Sequence, residues 1–483
     1  MKIETGTYVR VLLLGLSMCA AAGSSFAAGP SLETLLAYLK SPNPITRRDA
    51  AHKLGERRVH DQVAVEALAV AARKDDDAAV RSEALQSLGM IKSFSALNEM
   101  LDALKDTDPD VRRIAVKSLV MLYTEHDIDF ITNRRIGWNR LNPFLDTDDH
   151  EIIEPYVMVD PSIIIGLGET ARRDSDRSIR VAAIRALGVL KGRDAIPQLA
   201  EALQADQEVR LDVIRTFIKI GDQAAGHYLI PFFTDSDQKV RTQAMFAAGM
   251  LKYRPAIQPL LAVYGLGPQS KGPVTAITHK IKGRFEYLPP RDEAALWALS
   301  LIGDSDAELV FAENMDSSDG DRRQYAIEGL ARVGDRKYLD QISRLILTEK
   351  KDDVKLAMEW AMYKMGRGGQ IQDIARHLDS GLAEHARQYL MEPNNPADLY
   401  PYLESSNSTV RMAVIDILGH IGNMETVGVL KPVVDSSGRK TSDAATVAIK
   451  QIEWRISGRP RATDEILGHD QDGSARPRRV GSH

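Results

Sequence analysis

The chain has 483 residues, with 62 Lys and Arg against 67 Asp and Glu, a formal net charge of -5. Hydrophobic residues make up 44% and charged residues 27%, which excludes an intrinsically disordered chain. The charge argues against general binding to nucleic acid or anionic lipid, and 6% aromatics with abundant Ala and Leu favours helices over a β-rich fold. In chain order, Lys2 and Arg10 form a positive lead-in to the apolar stretch Val11 to Gly23, which is too short to span a bilayer comfortably. Ser25 and Ala27 then put small residues where a signal peptidase reads. Residues 1–27 therefore read as a secretory signal peptide, cut after Ala27, with no transmembrane segment left once it is removed. The expected address is the periplasm or cell envelope. Cys19 is the one cysteine and lies inside this signal, so the mature chain would have no disulfide, thiolate nucleophile or Cys-based metal site.

Leu16-Ser17-Met18-Cys19 resembles a bacterial lipobox, which would leave Cys19 lipidated. Met18 stands where such motifs want a small residue, so the lipid anchor is the minority reading.

From here the chain repeats itself. Residues 106–122 read DTDPDVRRIAVKSLVML, 174–190 read DSDRSIRVAAIRALGVL and 235–251 read DSDQKVRTQAMFAAGML. Clear anchors on the arginine are Arg81, Arg112, Arg180, Arg210, Arg241 and Arg411; looser ones are Arg47, Arg291, Arg323, Lys355 and Arg387. Most spacings fall between 30 and 34 residues, a period that signals a solenoid. Each period resolves into two helices. Asp194–Leu203 is a short first helix with Pro197 near its start, where a missing N–H is harmless. An Asp- or Ser-rich turn follows and caps the second helix. In the fourth unit Ile179, Ala183, Ile184, Leu187 and Leu190 form a 3.6-residue apolar stripe. Ala115, Ala183 and Ala244 recur where neighbouring helices must come close.

The pattern D-x-x-x-x-V-R-x-x-A-x-x-x-L resembles the HEAT family, and most closely the short HEAT-like repeats also found in phycobilisome lyases. The resemblance covers about residues 31–457 and implies an all-α, α-α superhelix of eleven or twelve repeats. It further implies a hydrogen-bonded ladder between stacked repeats, with candidate pairs Asp75/Arg81, Asp106/Arg112, Asp174/Arg180 and Asp235/Arg241. One guanidinium offers several donors in a fixed fork. The alternative is a set of independent surface charges worth little. Either role is structural rather than catalytic.

Two intervals exceed the period, giving inserts at about 124–160 and 265–289. The first follows a second helix and the second follows a first helix, so they should leave from opposite rims, roughly 30 Å apart if layers stack at about 10 Å. Candidate binding residues on them are Trp138, Arg140, Lys280, Lys282 and Arg284. Between them a concave groove is expected, lined five residues after each anchor by Gln86, Lys117, Arg185, Arg215, Phe246, Glu328 and Asp416. Its front half is basic and its back half acidic, which could orient a charged partner or be ordinary solvated surface. Residues 458–483 lose the periodicity and read as a disordered tail.

Catalytic motifs are mostly missing. The acidic run 146–151 is clustered like a cation site but has Glu151 and Val157 where an EF-hand needs Gly and Glu. The di-iron HEAT-like deoxyhypusine hydroxylase uses repeated His-Glu motifs, and this chain has one, His150-Glu151. Ser437 and Lys440 match S-x-x-K by chance, without the companion motifs. The expectation is a non-catalytic scaffold for a protein partner, without cofactor, metal or nucleic acid. The alternatives are an enzyme with a metal at His126, Asp148 or His150 in the first insert, or a bilin lyase-like activity implied by the family resemblance alone.

Overall fold

The computed structural model describes residues 29–124, 152–155, 157–266, 279–281, 284–286, 288–392, 395–436 and 438–457. Two compact units divide the chain, Met1–Glu99 and Met100–His483. Both are built from helix pairs. In the first are α1 (Leu32–Tyr38) with α2 (Pro44–Glu56), and α3 (Gln62–Lys74) with α4 (Ala78–Ile91). After α5 (Leu97–Ala103), within which the division falls, the second unit holds α6 (Pro109–Met121), then α7 (Pro161–Arg173) with α8 (Arg177–Val189), and α9 (Ile196–Ala205) with α10 (Arg210–Ile220). Then follow α11 (Gly226–Leu229) with α12 (Gln238–Met250), α13 (Ile257–Gly265) with α14 (Arg291–Ile302), and α15 (Glu308–Asn314) with α16 (Gly320–Val333). The last pairs are α17 (Leu339–Leu345) with α18 (Asp352–Lys364), α19 (Ile371–Arg376) with α20 (Ala383–Met391), the 3-10 segment Pro396–Glu404 with α21 (Ser408–Ile421), and α22 (Met424–Ser436) with α23 (Arg439–Ser457). Within each unit the described residues thus form stacked helix pairs of an all-α, α-α solenoid type. One hairpin interrupts it. In the second insert, expected to be loop, β1 (His279–Ile281) pairs antiparallel with β2 (Arg284–Glu286), Lys280 facing Phe285 in register.

The second helices lie side by side. In the N-terminal unit α2 packs on α4, and in the C-terminal unit α6, α8, α10, α12, α14, α16 and α18 form one row. Close approach is written into small residues. A Cβ on Gly55 of α2 would sit 2.7 Å from the main chain of Ser87 on α4, whose hydroxyl donates to Ala51 O at 2.8 Å. Aspartates start the second helices: Asp77, Asp108, Asp176 and Asp237 each accept the N–H two residues on. Caps of this kind contribute about 1 kcal/mol each.

The arginines tie one turn to the next. Within each expected pair the arginine reaches the main-chain oxygen of the aspartate, not its carboxylate: Arg81 to Asp75 at 2.9 Å, Arg112 to Asp106 at 3.0 Å, Arg180 to Asp174 at 2.9 Å and Arg241 to Asp235 at 2.5 Å. The carboxylate partner sits in the following repeat. Arg47 donates two bonds of 2.7 Å to Asp75, and Arg112 two bonds of 2.8 and 3.0 Å to Asp174. Arg180 reaches Asp206 at 2.7 Å, Arg210 reaches Asp235 at 3.0 Å, and Arg323 holds Glu349 at 2.8 and 2.9 Å. These carboxylates also accept an N–H from their own turn, as Asp174 does from Asp176 at 2.8 Å. The independent-charge reading fails here, because Arg112 and Asp174 keep only 13% and 4% of their side-chain surface.

Candidate interaction site

The row of second helices in the C-terminal unit presents the residues expected to line a groove. Lys117 on α6 is half-buried. Arg185 on α8, Arg215 on α10 and Phe246 on α12 are only 2%, 3% and 1% exposed, so the expectation of a solvated surface is wrong for them. Asp416 on α21 is ion-paired with Arg387 on α20. Trp138, Arg140, Lys282, Cys19, His126, the acidic run 146–151, the signal 1–27 and the tail 458–483 lie outside the described residues. Lys280 falls in β1 and Arg284 in β2.

From α12 to α20 the row carries a site that the sequence pattern only half reveals. Phe246 packs on Trp297 of α14 at 4.5 Å between ring centroids, and Trp297 stacks on Tyr325 of α16 at 5.5 Å and 15°. Beside these rings lies a polar network. Glu328 accepts from Gln324 at 2.9 Å and from the Tyr389 hydroxyl at 2.6 Å, although Tyr389 is 61 residues away on α20. Arg332 donates to Glu392 at 2.9 Å and to Ser300 O at 2.8 Å. Its guanidinium lies 5.0 Å over the Trp360 ring, which stacks in turn on Tyr389 at 4.5 Å and 8°. Lys252, at the end of α12, stands 3.7 Å from Glu392. Contacts therefore run across several repeats and cover much of this face with the protein's own side chains. What remains is a cavity of about 40 Å³ lined by Trp297, Tyr325, Asp321, Gln324, Gln388 and Met250, among others.

Burial sets the electrostatics. It disfavours charge on Arg332, yet Glu392 and Glu328 together hold that guanidinium above its ordinary pKa. Burial pushes Glu392 up, but Arg332, Lys252 and Lys364 pull it below the usual carboxylate range. The Tyr389 hydroxyl is raised well above its ordinary value by burial and by the neighbouring Glu328. Among the described residues no group of three or more His, Cys, Asp or Glu is placed to hold a metal ion, and no helix is long and apolar enough to cross a membrane.

Reading the sequence in register from the anchors missed Trp297. Five residues after Arg291 is Leu296; α14 begins at Arg291 directly after the second insert, and its register is displaced. The signal that could have found it is an aromatic residue in each of three successive second helices, Phe246, Trp297 and Tyr325.

Sequence comparison settles the repeat type. The HEAT repeats family model matches residues 32–120, 65–135 and 165–249. Those stretches carry HEAT repeats. No curated protein matches the sequence. Among solved structures the chain is similar to an engineered protein at 17% identity and a TM-score of 0.34, over 87% of this chain and 98% of that one. It is also similar to the complex of CpcE and CpcF of phycocyanin lyase from Nostoc sp. PCC7120, at 19% identity and 0.26, over 70% and 96%. Yeast importin-beta (Kap95p) aligns at 12% identity and 0.39, over 94% and 66%. At such identities the likeness carries no information on partner or activity.

Proposed function

We propose that the protein is a non-catalytic scaffold, exported to a bacterial cell envelope, that binds a protein partner through the C-terminal unit. The HEAT-repeat solenoid is a fold typical of protein-binding scaffolds, and the 1–27 pattern supports export. The carrying observation is the aromatic row Phe246, Trp297 and Tyr325 beside a small cavity, on helices held rigid by the Arg332 network. Aromatic and arginine side chains in well-packed pockets dominate binding energy at interfaces. Met250, at 39% exposure, stands at the mouth as the apolar contact for an inserted partner side chain.

The test compares proteins captured from the envelope fraction by the wild type, by Met250→Asp with Tyr325→Ala, and by the control Leu309→Asp on a first helix. A partner re-bound as purified protein should be lost with the double variant and kept with the control. Capture by all three alike would refute this site. An enzymatic reporter that is active only outside the cytoplasm, fused after residue 40, tests export separately.

A further inference from the structure

One position in the solenoid is out of character. In seven of the second helices, counting eight residues from the cap gives Leu85, Val116, Ile184, Met245, Ile327, Glu359 and Ile415. The six aliphatic members are at most 1% exposed and pack into the apolar core of their repeats. In α18 the same place holds a carboxylic acid. Glu359 keeps only 17% of its side-chain surface, and its Oε2 atom has no hydrogen-bond partner among the described residues. Facing it at 3.6 Å is Nε2 of His377, in the turn that ends α19. A second polar group there is also unsatisfied, the indole N–H of the fully buried Trp360.

An unsatisfied carboxylate at a core position weakens packing unless it holds a proton. We infer that Glu359, facing His377, makes the contact between α18 and α19 a pH-dependent joint, closed while its carboxyl holds a proton and loosened once it is lost. The groups acting on Glu359 set where this happens. Burial pushes it up to about 7, Asp373 of α19 adds to that, and Arg376 of α19 and Lys355 of α18 oppose it. Arg376 is itself bound to Asp373 at 2.8 Å. Of the charged groups on the other packed helices, Arg323 and Arg332 of α16 hold Glu349 and Glu392, Arg387 of α20 pairs with Asp416, Arg344 of α17 is exposed, and α20 adds the imidazole of His385, whose Nε2 is buried.

The sign follows from linkage. A carboxylate raised in the closed state binds its proton more tightly closed than open, so closure is favoured at low pH and the advantage fades as pH rises through about 7. The opening constant should grow about tenfold per pH unit between roughly 5 and 7 and level off above. This inference stands apart from the partner-binding reading, since it needs no ligand.

The experiment is hydrogen exchange of the full chain, read on peptides from 352–364 and 371–379 at pH 5 to 8 and corrected for intrinsic rates. Wild type should show the rise and plateau in those peptides and not in peptides from α8 and α10. Glu359→Leu, which restores the aliphatic column, should abolish the rise; Glu359→Gln should also abolish it and serves if the leucine variant packs badly. A wild-type profile as flat as that of the variants, a rise that survives Glu359→Gln, or an equal rise in the α8 and α10 peptides would overturn the joint.

Discussion

Replacing Arg112 by alanine tests the stitching between turns most directly. The side chain makes two bonds to the Asp174 carboxylate, at 2.8 and 3.0 Å, and two to the carbonyls of Asp106 and Thr107, at 3.0 and 3.3 Å. Hydrogen bonds to a charged group are worth about 1.5–3 kcal/mol net, and stripping one partner from a buried pair costs about 3–5 kcal/mol. Asp174 keeps one N–H bond from Asp176, which softens the loss. The expected cost is therefore about 3 kcal/mol, or roughly a 150-fold rise in local opening. The neighbour Arg113 pairs with Asp110 in exposed surroundings, 38% and 67% of their side-chain surfaces remaining, and Arg113→Ala should cost no more than about 0.5 kcal/mol. Hydrogen exchange on peptides spanning 106–121 and 170–180 reads both variants; it suits a repeat array, whose unfolding need not be two-state. Arg112→Lys should fall between them, keeping the charge but not the fork. Equal effects of Arg112→Ala and Arg113→Ala would refute the reasoning.

Glu349 should give the opposite pH dependence to Glu359. Burial opposes its ionisation, but Arg323 and the N–H groups of Lys351 and Lys350 bring it down to about 2. Its contribution is then complete above the ordinary carboxylate range and lost as pH falls toward 2, so the stability gap between wild type and Glu349→Gln should narrow from pH 5 to pH 2 in urea melts. Trp297→Ala removes a ring packed between two others and should cost about 3–5 kcal/mol, read as loss of near-ultraviolet circular dichroism with the helical signal retained. Gly55→Ala forces α2 away from Ser87; the clash, about 1–3 kcal/mol, should exceed the helix-propensity gain of about 1 kcal/mol and lower the thermal midpoint.

The helix pairs and caps were legible because both depend on local spacing: an aspartate before a helix, a proline in its first turn, an apolar stripe behind. Ladder partners were not legible. Arg112 and Arg180 occupy the same motif position, yet their carboxylates lie 62 and 26 residues downstream, since repeat length varies while the turn geometry does not. The burial of Arg185, Arg215 and Phe246 was hidden for a different reason. How far a concave face closes depends on how tightly the repeats curve, and contacts such as Tyr389 with Glu328 or Lys252 with Glu392 leave no mark in a periodic pattern. Glu359 could have been found from the sequence by aligning on the helix caps and asking which core position carries a charge.

Because Arg47, Arg112, Arg180, Arg210 and Arg323 each reach forward to a carboxylate of a later turn, the array has a direction. Cut the C-terminal unit after α6 and Arg112 loses its anion while keeping two carbonyl acceptors; remove everything before α7 instead, and Asp174 still holds the amide of Asp176. A cation stranded at the new edge and an anion still cradled by its own turn are unequal injuries. Deletions that shorten the protein from its tail should thus fray the exposed end more than deletions that trim its head.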